Sequence, residues 1–402
     1  MKKKILVIGI TMNSAGTEKS FLSFANLLDY DKYDVDLLLA KKGGDFYELL
    51  PKNINVIEME RGGDMFTLTG KNANKVIFNT FVKKNPFTLF EIFPYFMSAL
   101  FNRKNRSATV MKLWVKMMRK LPAFDNGIVY DEALAYWGDK AMFFMVDKVK
   151  AKKKIAWLHF DYANPPRDDG TYLPYFEKCD KIVTVSNVID ESLRAKLPSI
   201  AEKYVMMENI NNPRFIWDMA LRGDTFEDRH FTGQRILSIM RICEQKGYDF
   251  IVPALVQLKK DGYDLRWYII GSGDEDTVAE MKEDAMRREV ADMLIFLGTT
   301  TNPYSYLRDC DLFVLPSRHE GKPITVEEAK IMYKPIVVCN YLSANEQLAD
   351  GKFGMICEIG AEPLYNAVKK MLDSKALRDR YALNLSEENF SNESEIDKFY
   401  EM

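Results

Sequence analysis

The sequence predicts an α/β protein of two domains, each built around a parallel β-sheet. Strand-type runs alternate with helix-type runs over residues 1–208, and a second series of the same kind begins near Arg235. Residues 209–233 between them contain Asn211-Asn212-Pro213 and a charged stretch, which are typical of a linker. The chain has 402 residues, enough for two domains of ordinary size. We therefore predict a first domain over residues 1–208 and a second over residues 209–386.

The composition favours a cytosolic enzyme. The net charge is −2, and no shift in composition indicates disorder. Lysines near the N-terminus precede only a short apolar run, so we expect no secretory signal, and no segment is apolar over the length of a bilayer span. The five cysteines lack C-x-x-C spacing and are expected to be reduced core residues. They are Cys179, Cys243, Cys310, Cys339 and Cys357.

Two glutamates, Glu320 and Glu328, stand eight positions apart across a Gly-Lys-Pro turn. The segment follows an apolar strand-type run, Leu312–Leu315, and leads into a helix-type run, Val326–Met332. Such strand-to-helix crossovers bind ligands at the carboxyl ends of parallel strands. A helix N-terminus offers unpaired N–H groups and the positive end of its dipole, so residues 322–325 suit a phosphate. One glutamate can then meet a sugar and the other a ribose, with a diphosphate between them.

Other strands of the second domain end in residues that suit the same ligand. The run Ile236–Met240 is followed by Arg241 and Lys246, two basic residues just beyond the carboxyl end of a predicted strand. The runs Arg266–Ile270 and Met293–Leu297 are each followed by a glycine turn. The residues at these turns are Gly271, Gly273, Gly298 and Thr299.

This order of motifs resembles the donor site of retaining glycosyltransferases of family 4, whose fold is GT-B. The resemblance covers most of the second half of the chain and continues through Ser343-Ala344-Asn345-Glu346. It implies two Rossmann-like domains facing across a cleft, with a C-terminal helix, here within residues 387–402, that returns to the first domain. It also implies that the first domain binds the acceptor and the second binds the nucleotide sugar.

The resemblance assigns roles to individual residues. Glu320 is expected to contact hydroxyls of the donor sugar, Glu328 to hydrogen-bond the ribose, and Glu327 is out of register and receives no role. The catalytic residues implied are Arg241, Lys246, Glu320 and His159. The donor-binding residues implied are Gly16, Arg241, Lys246, Gly271, Gly273, Thr299, Gly321, Lys322, Pro323, Ile324, Thr325 and Glu328.

The first domain carries weaker matches to the same family. A strand-type run, Ile5–Ile10, precedes Ser14-Ala15-Gly16-Thr17-Glu18, where family members have a glycine-rich loop that can approach the donor phosphate. The run Lys154–Leu158 is followed by His159-Phe160-Asp161, and the family often has a similar sequence near the sugar.

Asp131 and Glu132 are candidates for the acceptor side. They follow a predicted strand, Gly127–Tyr130. Three positions elsewhere depart from the family pattern: Ala15 and Met240 stand where glycines are usual, and Lys322 where an aromatic residue is common. The change at Lys322 bears on donor preference.

A metal-dependent site is the alternative, because nucleotide-sugar enzymes of a different fold hold a divalent cation with Asp-x-Asp. Each such triplet here has an ordinary explanation as a turn or a helix start. Arg241 and Lys246 make a metal unnecessary, and three histidines cannot assemble a histidine-rich site. We therefore predict no metal and no cofactor, with a UDP-sugar as donor substrate. The triplets are Asp34-Val35-Asp36, Asp274-Glu275-Asp276 and Asp309-Cys310-Asp311.

Residues 71–120 carry eleven basic residues and one acid, Glu91, which gives a local charge of +10. Aromatic residues are interleaved, and the apolar run from Phe87 to Phe101 is broken by Glu91 and Pro94. The pattern predicts a helical region lying on an anionic membrane, where each basic side chain contributes about 1 kcal/mol. The alternative is a set of core-facing aromatics under a solvated basic face. Nucleic-acid binding is disfavoured because no recognised module accompanies the basic residues.

The function implied is transfer of a hexose from a UDP-sugar to a lipid-linked saccharide or glycolipid, with retention of configuration. The setting implied is the cytoplasmic membrane face in bacterial surface polysaccharide synthesis. One alternative is an epimerase or phosphorylase of the same fold. Another is a catalytically inactive nucleotide-sugar-binding or scaffold subunit, which would predict loss of donor residues, whereas Arg241, Lys246, Glu320 and Glu328 are all present.

Overall fold

The computed structural model describes residues 2–13, 16–67, 73–101, 106–163 and 167–402. The chain divides into two compact units. The first comprises Met1–Val185, Asp190–Met207 and Met402, and the second comprises Ser186–Ile189 and Glu208–Glu401. The predicted boundary after residue 208 therefore lies within one residue of the structural boundary.

The first unit is built on a seven-stranded sheet with the order β3-β2-β1-β4-β5-β6-β7, in which every neighbouring pair is parallel. The central strand β1 and its neighbour β2 are rich in Val, Ile and Leu and are buried along most of their length, as expected for a sheet covered on both faces. The strands are β1 (Lys3–Gly9), β2 (Tyr33–Leu39), β3 (Ile54–Glu58), β4 (Tyr130–Ala135), β5 (Ala151–Leu158), β6 (Lys181–Thr184) and β7 (Tyr204–Met206). The helices in this half of the chain are α1 (Gly16–Leu27), α2 (Gly63–Phe66), α3 (Ala73–Ile77), α4 (Thr88–Phe101), α5 (Arg106–Arg119), α6 (Asp139–Lys148), α7 (Asp169–Phe176) and α8 (Asn187–Lys196).

The second unit has a six-stranded parallel sheet with the order β10-β9-β8-β11-β12-β13. Its strands are β8 (Gln234–Ile239), β9 (Leu265–Ile270), β10 (Leu294–Gly298), β11 (Leu312–Leu315), β12 (Ile336–Cys339) and β13 (Met355–Cys357). The remaining helices are α9 (Pro213–Arg222), α10 (Ile251–Lys260), α11 (Glu275–Arg287), α12 (Tyr304–Asp309), α13 (Ile324–Ile331), α14 (Ala344–Gln347), α15 (Ala361–Asp373), α16 (Lys375–Ser386) and α17 (Glu395–Glu401).

Each sheet has one point at which the strand order reverses. It lies between β1 and β4 in the first unit and between β8 and β11 in the second. In open parallel sheets, ligands bind beyond the carboxyl ends of the strands at such a point. The prediction of two α/β domains with Rossmann-like parallel sheets is confirmed, and the fold places the loops after β8 and β11 side by side.

Asp131 and Glu132 lie elsewhere than the sequence analysis expected. Strand β4 begins at Tyr130 instead of ending there, so both carboxylates lie at its amino end, opposite the ligand-binding edge of the sheet. Asp131 pairs with Lys152 at 2.7 Å, and Glu132 pairs with Lys3 at 3.2 Å. These two acids therefore neutralise lysines at the starts of neighbouring strands, and we assign them no part in acceptor binding.

The C-terminal residues also differ from expectation. Residues 387–401 group with the second unit, and only Met402 groups with the first. Hydrogen bonds hold these C-terminal residues to the start of the second unit. Glu208 N donates to Glu395 Oε2 at 2.7 Å, and Asn211 N donates to Asn392 Oδ1 at 2.7 Å.

The described residues of the region predicted to contact a membrane are mostly helical, and Pro94 lies inside α4 without ending it. Residues 71–72 and 102–105 of that region lie outside the described residues. Within the described part of the chain, no helix has the length and apolar character needed to cross a bilayer. All five cysteines are free thiols, and Cys179, Cys310 and Cys339 are buried.

Candidate functional site

An ion pair lies at the point where the strand order of the second sheet reverses. Lys246 follows β8, Glu320 follows β11, and Lys246 Nζ lies 2.5 Å from Glu320 Oε1. The two side chains are 16% and 7% exposed, so the pair is largely shielded from water. Two residues that are 74 positions apart in the chain thus meet where the topology predicts a ligand site.

The backbone explains why these two loops approach so closely. Gly247 has a φ of +68°, and a Cβ atom there would lie 2.0 Å from the carbonyl oxygen of Pro316. Arg318 N donates to Gln245 O at 2.8 Å, and Gln245 Nε2 donates to His319 O at 2.9 Å. The loops after β8 and β11 are therefore joined in both directions by hydrogen bonds that involve Gln245.

Arg241 begins the same loop but remains exposed. Its guanidinium lies 3.5 Å from Gln245 Oε1. The structure therefore places both predicted cations on the loop after β8. Lys246 forms an ion pair with Glu320, and Arg241 lies at the surface.

The segment between β11 and α13, residues 320–325, is called the 320–325 loop below. Two of its carbonyl oxygens accept hydrogen bonds from side chains later in the chain. Ser343 Oγ donates to Gly321 O at 2.5 Å, and Gln347 Nε2 donates to Pro323 O at 2.9 Å. Helix α13 begins directly after Pro323 with no side-chain cap. The first-turn N–H groups, which include those of Ile324 and Thr325, are thus suited to an anion.

The neighbouring glutamates Glu327 and Glu328 are both buried but have different partners. Glu328 Oε1 accepts a hydrogen bond from Tyr304 OH at 2.8 Å. Glu327 pairs with Lys330 at 2.9 Å and accepts from Gln347 Nε2 at 2.9 Å. Burial would raise the pKa of Glu327, but the charges of Lys330 and Lys322 lower it below its ordinary value. Glu327 is therefore a structural anion, which agrees with its being out of register with the motif.

The glycine turn after β9 is required by a close approach of two backbones. Gly271 has a φ of +145°, and a Cβ atom there would lie 1.9 Å from Met240 O. Ile242 N also donates to Ser272 O at 2.8 Å, so the turn is fastened beside the loop that carries Arg241. Gly273 and Thr299 are exposed at the same edge of the sheet.

Lys322 adopts a position that the sequence analysis did not foresee. Its side chain, only 9% exposed, lies with Nζ 2.5 Å from Glu208 Oε1. A contribution of Lys322 to donor binding therefore rests on its backbone N–H group. Neither Glu208 nor Tyr304 carried a sequence signal, because both lie far in the chain from the residues they contact.

The first unit contains the two remaining predicted site residues. Gly16 is exposed at the first position of α1, whereas Ser14 and Ala15 lie outside the described residues. His159 follows β5, is half-buried, and its ring lies 5.0 Å from that of Tyr136. Both residues thus lie beyond carboxyl ends of strands of the first sheet, where a ligand site is expected.

Among the residues described by the structure, no group of three or more His, Cys, Asp and Glu side chains could hold a metal ion. Acids of two Asp-x-Asp triplets accept hydrogen bonds from backbone N–H groups, whereas Asp34 and Asp36 lie within β2. Asp274 caps α11, since its carboxylate accepts from Thr277 N at 3.1 Å, and Asp311 accepts from Arg235 N at 2.7 Å.

Solved structures with the same architecture identify the fold as GT-B. The Anabaena protein HepE, in complex with UDP, superposes with a TM-score of 0.67 at 15% identity over 100% of this chain and 99% of its own. A sucrose-phosphate synthase from Thermosynechococcus elongatus superposes with a TM-score of 0.69 at 14% identity over 100% and 98%. At these identities the likeness establishes the fold alone.

Sequence comparison identifies the family. Residues 227–387, which lie in the second unit, match the model for glycosyl transferases group 1 and form a glycosyltransferase domain of this group. An uncharacterized glycosyltransferase of Haemophilus influenzae is 25% identical over 89% of this chain and 86% of its own. A Campylobacter jejuni enzyme that is named as a 4-alpha-N-acetylgalactosaminyltransferase acting on a diphospho-undecaprenol saccharide is 28% identical over 51% and 54%. The prediction of a glycosyltransferase domain of group 1 is confirmed, and the homologues include enzymes of bacterial surface polysaccharide synthesis.

Proposed function

We propose that the protein transfers a hexose from a UDP-sugar to a lipid-linked saccharide or glycolipid, with retention of configuration and without a metal. The observation that carries this proposal is the Lys246–Glu320 pair beside the uncapped N-terminus of α13. Both lie at the reversal point of the second sheet, which suits a ligand with a diphosphate next to a sugar.

The chemistry follows from the charges. As the bond between the sugar and the diphosphate breaks, the β-phosphate gains negative charge, which the cations of Lys246 and Arg241 and the N–H groups of α13 stabilise. Glu320, held by Lys246, is placed to accept hydrogen bonds from sugar hydroxyls. For retention, the acceptor hydroxyl attacks the anomeric carbon on the face from which UDP departs, and the leaving phosphate oxygen takes the hydroxyl proton.

The choice of UDP and of the acceptor draws on related proteins. HepE structures hold UDP or UDP-glucose, and two Campylobacter jejuni relatives are named as transferases acting on diphospho-undecaprenol saccharides. A saccharide carried on such a lipid would be presented at the cytoplasmic face of a membrane. We therefore propose that this protein also works there, in surface polysaccharide synthesis.

Among the described residues of 71–120, the proposed membrane contact rests more on exposed aromatic side chains than on basic ones. Lys112, Lys116, Arg119 and Lys120 pair with acidic residues within 3.8 Å. On α4, by contrast, exposed phenylalanines recur at helical spacing and share one side of the helix. On α4, Phe90 is 77% exposed, Phe93 60% and Phe101 81%, and Phe87, which directly precedes the helix, is 72% exposed. We propose that this face enters the interface of an anionic membrane, with the exposed Lys83 and Lys84 at its edge meeting the headgroups.

The first test is calorimetric titration of UDP, GDP and ADP into the wild-type protein, Glu328→Ala and the control Glu362→Ala. Glu362 is an exposed glutamate in the first turn of α15. We expect the wild-type protein and the control to prefer UDP, and Glu328→Ala to bind it about tenfold more weakly through loss of a charge-assisted hydrogen bond. Failure of folded wild-type protein to bind any of the three nucleotides would overturn the proposal.

The membrane contact is tested by sedimentation with phosphatidylcholine vesicles that contain phosphatidylglycerol. The double variant Phe90→Ala/Phe93→Ala should bind these vesicles at least about tenfold more weakly, because burying one large apolar side chain contributes about 1.5 kcal/mol or more. Leu221→Ala is the matched control, since Leu221 is 71% exposed on α9. Equal binding of the double variant and the control would remove α4 from the proposal.

A further inference from the structure

Lys322 makes a buried contact that the proposed chemistry does not use. Its ammonium group lies against Glu208, the residue at which the chain continues from the first unit into the second. The two residues are 114 positions apart in the sequence. The contact therefore joins the 320–325 loop to a distant part of the chain.

The surroundings keep Lys322 charged. Burial alone would lower its pKa, but the carboxylates of Glu327, Glu208 and Glu346 outweigh burial and raise the pKa above the ordinary value. A permanently protonated lysine has no use as a general acid or base. It is a strong hydrogen-bond donor to a carboxylate, which is suited to fixing one segment against another.

Glu208 is itself held in place by the C-terminal part of the second unit. Its N–H donates to Glu395 Oε2 at 2.7 Å, and Asn392 Nδ2 lies 3.5 Å from its Oε2. Asn392 also binds the backbone on either side of residue 210, as acceptor from Asn211 N at 2.7 Å and donor to Asn209 O at 3.0 Å. Residues 208–211, called the entry segment below, therefore form a fixed point for the Lys322 side chain.

The other anchors of the 320–325 loop come from different places. Ser343 and Gln347 hold its carbonyl groups from the region after β12, and Lys246 holds Glu320 from the loop after β8. Lys322 supplies the contact with the entry segment. A loop that must present N–H groups to a phosphate binds it more tightly when its conformation is fixed before binding.

We propose that Lys322 is a positioning residue that holds the 320–325 loop in its ligand-binding conformation by fastening it to Glu208 of the entry segment. This inference rests on the proposed function only in naming the ligand as a nucleotide sugar. The tether itself is a property of the free protein. It gives Lys322 a role that differs from contact with the sugar.

The test measures hydrogen exchange of the 320–325 and 208–211 amides in the ligand-free protein, together with UDP affinity. The variants are Lys322→Met, Glu208→Gln and the double variant. Lys352→Met is the control, because Lys352 Nζ also lies 2.5 Å from a glutamate, Glu388, in the same unit but away from the loop. We expect exchange in both segments to rise about tenfold in each single variant, with no further rise in the double variant and none in the control.

UDP affinity should fall about tenfold in the same three variants, as expected for loss of one charge-assisted contact, and should not change in the control. Unchanged loop exchange in Lys322→Met and Glu208→Gln would overturn the tether, even if their melting temperatures fell. If the wild-type protein binds no nucleotide, the proposed function fails. The exchange data would still decide the tether.

Discussion

The carboxyl edges of the two sheets have the same topology but different chemistry. In the second unit this edge carries the Lys246–Glu320 ion pair. In the first unit the ends of β4 and β5 are filled by buried rings, with the centroids of Tyr136 and Trp157 4.6 Å apart and those of Phe24 and Trp157 5.5 Å apart. The hydroxyl group of Tyr136 forms a hydrogen bond of 2.6 Å with Ser20 Oγ.

The difference indicates that the fold sets only where a ligand can bind. A parallel sheet with one reversal of strand order provides a crevice in either unit, because two neighbouring loops leave in opposite directions. Side-chain charge then determines what can be bound there. A diphosphate needs cations and N–H groups that can donate to it, and buried rings cannot take the place of these groups.

The largest expected effect is on the charged edge. Replacing Lys246 with Met should lower kcat about 10²–10³-fold, because a fixed cation that stabilises the leaving diphosphate is lost. The KM for the donor should change less, since the charge develops mainly in the transition state. Steady-state kinetics of UDP release from a UDP-sugar such as UDP-glucose would measure both quantities.

Lys259→Met is the control for this prediction, because Lys259 lies in the last turn of α10 and contacts the carbonyl oxygen of Glu289. Its kinetics should match those of the wild-type protein. If Lys246→Met kept nearly full kcat while remaining folded, the charged edge would not be the place where the bond breaks.

An intermediate effect is expected at Glu327, whose charge supports α13 without facing the donor. Its pKa in the folded protein lies below the ordinary value of 4.5, chiefly because the charges of Lys330 and Lys322 outweigh burial. The unfolded chain then binds more protons near that pH, so this stabilisation is complete above about pH 4.5 and is lost as the pH falls through the lower folded pKa. Glu327→Gln should therefore lower the free energy of unfolding by about 3 kcal/mol at pH 7, and by less in more acidic solution.

Urea unfolding at a series of pH values would measure this difference, with Glu362→Gln as an exposed control. A difference that stays constant down to the acid limit would show that Glu327 contributes through packing and not through its charge.

The smallest effect is expected on the aromatic edge. Tyr136→Phe removes the hydrogen bond with Ser20 and should cost about 1 kcal/mol of stability. Burial raises the pKa of Tyr136 although the hydrogen bond with Ser20 opposes this, so the hydroxyl stays neutral near pH 7. We expect UDP affinity to be unchanged by calorimetry. A clear loss of UDP affinity would show that the first unit also contributes to the donor site, and the contrast between the edges would weaken.

Sequence patterns predicted the parts of the site that depend on short-range order. Strand β11 begins and ends where its apolar run predicted, since a buried parallel strand has a continuous run of apolar residues. The predicted position of strand β4 was wrong. Directly after Tyr130 the strand carries two acids, Asp131 and Glu132, which pair with lysines on neighbouring strands. No local pattern indicates such pairing between strands.

The sequence by itself determined the two α/β units, the loops that carry Lys246 and Glu320, and the family. These features follow from hydrophobic periodicity and from motifs that lie within a few residues of one another. Only the tertiary structure decided that Lys322 contacts Glu208, that Tyr304 donates to Glu328, and that the α4 phenylalanines are exposed. Such contacts depend on which distant segments the folded sheets bring together, and burial is a property of the whole packed chain.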